Sequence, residues 1–368
     1  MIDARDRVYL RRTYELAARG RGGTSPNPCV GAMLVRELTT LAEGFHRARG
    51  GPHAEVDALT EARTAGTDVR GATAYVSLEP CDHEGLTPPC TRALVDAEVS
   101  RVVIGARDPN PRTAGAGVAR LQASGIDVDV ADESEAKALV EDFAVSVKGA
   151  RPFVHLKMAA SLDGYVAPRI GPYWLTGECA RDYVRELRTR YDAVLVGAGT
   201  VRIDDPRLTV RPPHARRRPY VRIVACEGSA VRAESRIFER LEGYAPTIVL
   251  APAGSRASFA ALEAIGDVLY VGAPDSTRLD LGAALAALRT RDITSVLCEG
   301  GPTLAARLLE RKLVDRVDWL IAPRFLANEH AVPALDQADV AGALGQLRFE
   351  QVERLGEDLR VSLRVGAE

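Results

Sequence analysis

Four residues that could build a catalytic metal centre lie close together in the first quarter of the sequence. The segment GPHAEVDAL carries His53 and Glu55, and the segment LEPCDHEGLTPPC carries Cys81 and Cys90. One imidazole and two thiolates are a ligand set that zinc accepts, with a fourth position left for water when the site is catalytic. The pattern therefore predicts one zinc ion per chain, bound by His53, Cys81 and Cys90. Glu55, two residues after His53, is not a ligand in this scheme.

Two helix starts are expected to hold these ligands. His53 and Glu55 stand at the start of a predicted helix, where both side chains can approach an ion that lies off the helix end. The pair Pro88-Pro89 suits the opening of a second helix with Cys90 in its first turn. Because a helix N-terminus favours negative charge, it also helps to hold a thiolate.

The combination of motifs is more specific than its parts. H-x-E with P-C-x-x-C is the signature of zinc-dependent base deaminases, and here eight residues separate the two cysteines. A His-x-Glu alone is usually an ordinary helix start, and a cysteine pair at this spacing is only a moderate signal. A helix start, a Pro-Cys after a strand and a Pro-Pro-Cys before a helix together favour a zinc site.

Composition restricts the class of protein. The chain has 368 residues, a formal net charge of −2 and a hydrophobic fraction of 46%, which suffices for packed cores and offers no overall basic surface to nucleic acid. Its six cysteines are scattered, unlike a secreted disulfide framework. No run approaches 18 apolar residues, and the charged N-terminus contains no signal segment. We therefore expect a cytoplasmic protein with reduced thiols and with no nucleic-acid or membrane partner.

Short apolar runs alternate with helical patterns in both halves of the chain, which is typical of an α/β fold. The predicted strands of the first half are VGAMLV, ATAYVSL and RVVIGA. The predicted strands of the second half are AVLVGAGT, RIVA, TIVLA, SVLCEGG and DWLIAP. Between the halves, a charged helix over residues 134–151 leads to a new strand in RPFVHLKMAASLDG. The predicted domains therefore span residues 1–147 and 151–368.

Motifs in both halves resemble those of the bifunctional deaminase/reductase family of riboflavin biosynthesis. Four segments are similar to its deaminase half: HAEVDAL, LEPCDHEGLTPPC, DPNP (108–111) and TSPNPCVGAMLV (24–35). Three later segments are similar to its reductase half: LKMAASLDG (156–164), VGAGTVRIDDPRLTVR (196–211) and EGGPTLAARLL (299–309). All of these segments follow one another in the same order as in the family. The resemblance implies a cytidine-deaminase-like three-layer α/β/α domain followed by a dihydrofolate-reductase-like α/β domain.

The resemblance also implies two consecutive reactions on a pyrimidine ribosyl phosphate. The first domain is expected to hydrolyse the amino group of 2,5-diamino-6-ribosylamino-4(3H)-pyrimidinone 5′-phosphate through zinc hydroxide, with Glu55 transferring protons. The second is expected to reduce the ribosyl side chain with NADPH, giving 5-amino-6-(5-phosphoribitylamino)uracil. The family pattern places the following residues at the deaminase substrate: Asn27, His46, His83, Asp108 and Asn110. Each of these could instead be an ordinary turn residue.

The reductase half has no G-x-G-x-x-G after its first strand, which argues against a Rossmann site. Its glycine-rich turns GAGT (197–200) and EGGPT (299–303) are the predicted phosphate-binding elements, because a helix start there would face the dinucleotide. By resemblance, the residues along NADPH are Trp174, Thr200, Asp204, Gly300 and Gly301. Those near the reductase substrate are Lys157, Arg188, Leu208, Arg211 and Glu299. Arg188 and Arg211 suit a sugar phosphate because guanidinium binds phosphate bidentately.

Three positions depart from the family pattern. Leu86 replaces a basic residue in the loop between the cysteines, Pro172 replaces a serine, and Cys29 replaces an asparagine. The resemblance implies that the basic residue meets the substrate's 5′-phosphate. We expect another cation, Arg92 or Arg112, to compensate for its loss at Leu86.

Two alternatives remain at this stage. One is a deaminase of a related pyrimidine pathway whose reductase half is altered or inactive. The other is a non-enzymatic, zinc-stabilised binding protein, which leaves Glu55 unexplained. In either enzymatic case the partner is a small molecule, and we expect a homo-oligomer, either a dimer or a tetramer.

Overall fold

The protein divides into two compact units. A computed structural model describes residues 2–168, 174–210, 218–227, 231–326, 331–335 and 347–366. The N-terminal unit comprises residues 1–150 and the C-terminal unit residues 151–368. None of the helices in these described ranges has the length and apolar character needed to cross a membrane.

The N-terminal unit is a five-stranded sheet with helices on both faces. Its strands lie in the order β2-β1-β3-β4-β5, with β1 antiparallel to β2 and β3 and with β3, β4 and β5 parallel. In chain order the elements are α1 (Ala4–Ala18), β1 (Gly31–Arg36), β2 (Thr39–Phe45), α2 (Ala54–Thr64), β3 (Thr73–Val76), α3 (Cys90–Asp96), β4 (Arg101–Ile104), α4 (Ala116–Ala123), β5 (Asp127–Val130), α5 (Ser134–Leu139) and α6 (Glu141–Lys148).

Alternation along the strands produces the two cores of this unit. Successive strand residues point to opposite faces, so in β1 Ala32 and Leu34 pack with α2, α3 and α4. Met33 and Val35 face the other way and pack with α1 and α5. The result is the three-layer α/β/α arrangement that was expected for this half.

Two helices differ from their sequence predictions. The first begins at Ala4, before the predicted start at Val8, because Asp3 caps it: the Asp3 carboxylate accepts hydrogen bonds from the backbone of Arg5 and Asp6. The single charged helix predicted over residues 134–151 is wrong. It is divided into α5 and α6 at Val140, whose φ of −119° lies outside the helical range and whose side chain is buried in the core against α1.

The C-terminal unit is built on a nine-stranded sheet. In chain order its elements are β6 (Phe153–Ser161), β7 (Tyr165–Pro168), α7 (Glu178–Arg188), β8 (Ala193–Gly197), α8 (Ala198–Asp204), β9 (Val221–Ala225), β10 (Ile248–Pro252), α9 (Arg256–Phe259), β11 (Asp267–Val271), α10 (Leu281–Arg289), β12 (Ser295–Cys298), α11 (Pro302–Glu310), β13 (Arg316–Ala322), β14 (Ala331–Pro333), β15 (Leu347–Leu355) and β16 (Asp358–Val365). The sheet order is β11-β10-β9-β8-β12-β6-β13-β16-β15, and β7 pairs with β14 separately.

This sheet is parallel from β11 to β13 and ends in an antiparallel β13-β16-β15 segment. Residues of α8 pack on one face of it and residues of α10 and α11 on the other. The neighbouring strands β8 and β12 are therefore followed by helices on opposite faces. In open parallel sheets, two neighbouring strands that are followed by helices on opposite faces leave a crevice at their carboxyl ends, where ligands bind.

Candidate functional site

Three side chains that were predicted as zinc ligands converge in the N-terminal unit. His53 is the residue before α2, Cys90 is the first residue of α3, and Cys81 lies in the loop that follows β3. The His53 Nδ1 atom is 3.5 Å from Cys81 Sγ and 3.3 Å from Cys90 Sγ. All three ligand atoms lie within 4.8 Å of one another.

These separations fit a tetrahedral zinc site. Zinc–nitrogen and zinc–sulfur bonds of about 2.05 and 2.3 Å at a tetrahedral angle place the two ligand atoms about 3.6 Å apart. The two nitrogen–sulfur distances of 3.3 and 3.5 Å are close to that value. The donor set is thus arranged at distances that such a metal requires.

The second nitrogen of the histidine also has a partner. His53 Nε2 lies 3.4 Å from the Thr87 hydroxyl oxygen, in the loop just before α3. Metal-binding histidines usually use this second nitrogen to fix the orientation of the ring. The sequence analysis missed Thr87, although its place three residues before Cys90 was a usable signal.

The groups around the donors are electrostatically coupled. The hydrogen bond from Cys90, aided by His53, holds the pKa of Cys81 well below its usual value. The same contact with Cys81, together with burial, raises the pKa of Cys90. Burial is also the main reason that the pKa of Glu55 is raised to about 7, and the charge of Cys81 adds to this effect. Glu55 is only 4% exposed and shares a side-chain hydrogen bond with Cys90.

Asn27 and His46 lie beside this cluster. The His46 ring stands edge-on to the His53 ring, with the centroids 5.1 Å apart. Its Nδ1 is 2.9 Å from the carbonyl oxygen of Pro52 and must donate to it, so Nε2 accepts from the Asn27 amide nitrogen at 3.3 Å. Burial lowers the pKa of His46, which favours this neutral form. His46 therefore determines which way the Asn27 amide faces.

The other three predicted deaminase contacts lie in loops. His83 is exposed in the loop between the two cysteines. The Asp108 carboxylate accepts from the Asn110 backbone at 2.9 Å and from the Thr113 hydroxyl at 2.5 Å. Asn110 Oδ1 accepts from the Arg112 backbone at 3.1 Å. Asp108 and Asn110 thus build the turn in which they lie.

Two of the three departures from the family pattern are in the described residues. Leu86 is 77% exposed. It lies beside Gly50, because a Cβ atom added at Gly50 would be 4.0 Å from Leu86 Cδ1. Cys29 is buried, with its Sγ 3.4 Å from the Thr24 hydroxyl. Arg92, one of the cations expected to compensate for Leu86, is exposed and lies 3.8 Å from Asp96. Pro172 lies outside the described residues.

A cavity of about 1270 Å³ occupies the crevice at the carboxyl ends of β8 and β12. It is large enough for a dinucleotide and a second small molecule, since pockets for one drug-sized ligand are about 300–1000 Å³. Nine of the ten predicted reductase residues line it: Lys157, Trp174, Arg188, Thr200, Asp204, Leu208, Glu299, Gly300 and Gly301. The tenth, Arg211, lies outside the described residues.

Three of these residues form a buried charge cluster. The Arg188 guanidinium binds the Glu299 carboxylate through Nε at 2.5 Å and Nη2 at 3.0 Å, and Lys157 Nζ is 3.7 Å from it. Burial opposes ionisation of Glu299, but the two cations outweigh it and lower its pKa. Arg188 also donates to the carbonyl oxygen of Thr209 at 2.9 Å. Since a guanidinium has five N–H groups, these three bonds leave two for a ligand.

The glycine turn after β12 approaches its surroundings closely. A Cβ atom on Gly300 would lie 2.8 Å from Leu304 Cδ2 and 3.2 Å from Cys298 Sγ, so a side chain there would require Leu304 to shift. A Cβ on Gly301 would be 3.4 Å from the Thr200 hydroxyl, which places two predicted cofactor residues side by side. Gly301 precedes α11, which opens with Pro302.

The remaining predicted residues stand at the cavity wall. Trp174 is 73% exposed, and the Arg181 guanidinium lies 5.1 Å from its ring centroid. Asp204 is the last residue of α8. Leu208 is buried in a segment that adopts an unusual backbone conformation.

Two residues near these sites gave no signal in the sequence. The buried Glu79 carboxylate accepts hydrogen bonds from the backbone of Asp108, Gly115 and Val118, and so connects the loop before Cys81 to the loop of Asp108. The Tyr244 hydroxyl accepts from the Val210 backbone beside the cavity. Both contacts join positions far apart in the chain, which local patterns do not reveal.

Both units match known families. Residues 3–106 match the cytidine and deoxycytidylate deaminase zinc-binding region, and residues 152–361 match the RibD C-terminal domain. The chain is 37% identical to the riboflavin biosynthesis protein RibD of Aquifex aeolicus, covering 98% of each chain. It is 38% identical to that of Escherichia coli K12, covering 98% of this chain and all of the relative.

Solved structures agree. RibD of Acinetobacter baumannii superposes with a TM-score of 0.83 at 34% identity, covering 98% of this chain and 99% of that one. The diaminohydroxyphosphoribosylaminopyrimidine deaminase/5-amino-6-(5-phosphoribosylamino)uracil reductase of Thermotoga maritima gives 0.83 at 35% identity, with the same coverage. Fold and sites thus define a class of enzyme in which a zinc-type deaminase domain precedes a reductase domain. Within that class, the chain belongs to the RibD family of riboflavin biosynthesis proteins, which confirms the family and the fold predicted from its motifs.

Proposed function

We propose that the N-terminal unit deaminates 2,5-diamino-6-ribosylamino-4(3H)-pyrimidinone 5′-phosphate and that the C-terminal unit then reduces the ribosyl group with NADPH. The observation that carries the proposal is the convergence of His53, Cys81 and Cys90 within 4.8 Å beside the buried Glu55. Family membership and the cavity of the C-terminal unit support the second step.

His53, Cys81 and Cys90 would hold the zinc ion of the first reaction. Zinc bound there would lower the pKa of a water molecule and so supply hydroxide near neutral pH. Glu55 would take up a proton from that water and deliver protons to the ring nitrogen and the leaving amine. Its carboxyl group is suited to this because it is buried beside the three proposed ligands and shares a hydrogen bond with Cys90.

Asn27 is the best placed of the proposed substrate contacts in this unit. Since His46 accepts from the Asn27 amide nitrogen, the Asn27 carbonyl oxygen faces away from His46 and can accept from a substrate amine. We further propose that His46, His83, Asp108 and Asn110 shape the pocket around the pyrimidine and its ribosyl group.

Variants of the N-terminal unit test this division of labour. Cys81→Ser should lose zinc, as measured by metal analysis, and full retention would contradict the ligand assignment. Glu55→Gln should retain zinc and lose ammonia release, while NADPH oxidation on deaminated substrate continues. Glu84→Gln, a change at an exposed site in the loop between the cysteines, is the matched control and should deaminate normally.

The cavity of the C-terminal unit is the proposed site of NADPH and of the deaminated substrate. The turn at Gly300 and Gly301, with Trp174, Thr200 and Asp204, would hold NADPH, which supplies the hydride for reduction. Gly300 fits this role because its bare backbone leaves room that a Cβ atom would fill.

The substrate of the reduction would be held by five residues: Lys157, Arg188, Leu208, Arg211 and Glu299. The two unused N–H groups of Arg188 suit its phosphate or hydroxyl oxygens. Variants should separate the activities, since Glu299→Gln should lower reduction without affecting ammonia release. Normal reduction by that variant would exclude Glu299 from the site.

We propose NADPH rather than NADH as the reductant. Arg202 and Arg236 line the cavity and could hold the extra 2′-phosphate of NADPH. Steady-state rates with the two cofactors test this preference, and equal KM and kcat values would contradict it.

A different cation is proposed to replace the basic residue that Leu86 lacks. Arg92 and Arg112 are both exposed and remain the proposed substitutes. A charge-assisted hydrogen bond contributes roughly 1.5–3 kcal/mol, about ten- to a hundredfold in affinity. Wild type should therefore prefer phosphorylated over dephosphorylated substrate, and Arg92→Ala or Arg112→Ala should weaken that preference. No preference in wild type would point to a different substrate.

We also propose that the protein is a homo-oligomer. The edge strand β15 presents Phe349 and Val352 to solvent with most of their side-chain surface exposed, and such edges readily pair with another chain. Light scattering with Phe349→Glu tests this, because a purely monomeric wild type would contradict the proposal.

A further inference from the structure

The segment that follows α8 has a strained backbone and lies along the cavity of the C-terminal unit. Asp205, Arg207, Leu208 and Thr209 all line that cavity. Asp205 has a φ of 40° and Leu208 a φ of 51°, both in the left-handed region. A side chain with a Cβ atom is unfavourable there, and such conformations persist only where the surrounding structure imposes them.

Hydrogen bonds hold the end of this segment from two directions. The Val210 backbone N–H donates to the Tyr244 hydroxyl oxygen at 2.7 Å. The Thr209 carbonyl oxygen accepts from Arg188 Nη1 at 2.9 Å. The two contacts act on Thr209 and Val210, directly after Leu208. They therefore restrict the backbone on that side of the left-handed turn.

Hydrogen bonds and an ion pair also hold the beginning of the segment. Arg222 is almost fully buried and donates to the Glu239 carbonyl oxygen at 2.7 Å and to the Arg207 carbonyl oxygen at 3.5 Å. The Arg207 guanidinium in turn binds the Glu239 carboxylate at 2.7 and 3.2 Å. Arg222 also lies over the Tyr244 ring, 5.3 Å from its centroid.

Tyr244 is itself rigidly placed. Its ring stands edge-on to the ring of Tyr220 at a centroid distance of 5.7 Å. Backbone hydrogen bonds from Tyr220 to Gly243 and from Ala245 to Tyr220 hold the chain on both sides of it. Tyr244 is not among the residues that line the cavity, and its hydrogen bond to Val210 connects it to the cavity through the segment that it holds.

We propose that Tyr244 is a positioning residue of the reductase site. Its hydroxyl group keeps the Leu208 turn pressed against the cavity, so that the sugar-phosphate end of the pyrimidine substrate meets a surface that is already formed. This inference rests on the proposed function, in which Leu208 lies near the substrate. Arg188, by contrast, belongs to the binding site itself, because it holds both Thr209 and Glu299.

Tyr244→Phe tests the proposal because it keeps the ring and removes only the hydroxyl acceptor. With deaminated substrate and NADPH, we expect the KM for the pyrimidine to rise about three- to tenfold, which corresponds to one ordinary hydrogen bond. The kcat should change less than this KM, and the KM for NADPH and the rate of ammonia release should stay within twofold. Hydrogen exchange of residues 205–210 should become faster even without substrate.

Tyr270→Phe is the matched control. Tyr270 lies on β11, at the edge of the same sheet, and its hydroxyl group binds Glu263 at 2.8 Å. This variant should leave all KM values and the exchange of residues 205–210 unchanged.

The outcomes separate the two proposals. If wild type does not oxidise NADPH with the pyrimidine, the proposed function fails, and the role of Tyr244 fails with it. If wild type is active but Tyr244→Phe leaves the pyrimidine KM unchanged, the role of Tyr244 alone is overturned. An equal rise in the KM for NADPH, or an equal effect of Tyr270→Phe, would also overturn it, because a general loosening of the unit would then explain the result.

Discussion

Replacing Glu79 with alanine should loosen the loop that follows β4 in the N-terminal unit. The Glu79 side chain is only 5% exposed, and its carboxylate accepts three backbone N–H groups: those of Asp108 and Gly115 at 3.1 Å and that of Val118 at 3.2 Å. Alanine would leave all three donors without their acceptor. Since Glu79 stands two residues before Cys81, the change also removes the side-chain hydrogen bonds that connect this loop to the segment before Cys81.

The magnitude follows from the three hydrogen bonds. Each bond to a charged acceptor contributes about 1.5–3 kcal/mol, and water that enters the vacated space would satisfy part of the loss. We therefore expect Glu79→Ala to lower the free energy of unfolding of the N-terminal unit by about 3–5 kcal/mol. Glu79→Gln should cost less, about 1.5–3 kcal/mol. Its single oxygen can replace Oε2, which accepts from Asp108 and Gly115, but its NH₂ group would face the Val118 N–H.

The two units can be monitored separately in the assay. Both tryptophans, Trp174 and Trp319, lie in the C-terminal unit, so tryptophan fluorescence in urea reports on that unit and should be unchanged. Unfolding of the N-terminal unit is followed by loss of ammonia release and by hydrogen exchange of residues 107–119. Glu84→Ala, at an exposed position in the zinc loop, is the control and should stay within about 0.5 kcal/mol of wild type.

The reasoning is refuted if Glu79→Ala unfolds at the wild-type urea concentration and its loop exchanges no faster. A cost for Glu79→Gln as large as that for Glu79→Ala would also contradict it, because the number of retained hydrogen bonds would then be irrelevant.

Three further outcomes follow from the structure. Gly300→Ala should lower NADPH oxidation at unchanged ammonia release, because Leu304, whose Cδ2 would lie 2.8 Å from the added methyl group, must shift beside the turn proposed to hold NADPH. A normal KM for NADPH would contradict this. Burial opposes ionisation of Asp6, but hydrogen bonds led by that from Arg101 outweigh it and lower its pKa from 3.8 to about 2. Asp6→Asn should therefore lower the free energy of unfolding by about 2 kcal/mol at pH 7. In urea titrations, the difference in free energy between wild type and variant should shrink as the pH falls from about 4 towards 2. A difference that does not change with pH would show that it does not arise from the lowered pKa of Asp6. Chelation of the metal should abolish ammonia release and leave NADPH oxidation intact, and loss of both activities would argue against two independent sites.

The convergence of His53, Cys81 and Cys90 could be predicted because its signals are local. His53 and Glu55 are two residues apart at a helix start, and Cys81 and Cys90 bracket one short loop. Prolines before Cys90 mark the start of α3 where the structure has it. The helix over residues 134–151 could not be predicted correctly from such signals, because the break at Val140 arises from packing against α1 rather than from a helix-breaking residue.

By itself, the sequence determined which side chains could form a ligand set, the alternating α/β pattern of both halves and, through its motifs, the family. These features depend on residues that are near one another in the chain or on side-chain periodicity along single elements. Only the tertiary structure decided which distant residues meet: Lys157, Arg188 and Glu299 around one charge cluster, Glu79 with the loop of Asp108, and Tyr244 with Val210. Such contacts depend on strand order and on helices crossing to opposite faces of a sheet, and neither is encoded in any short stretch of the chain.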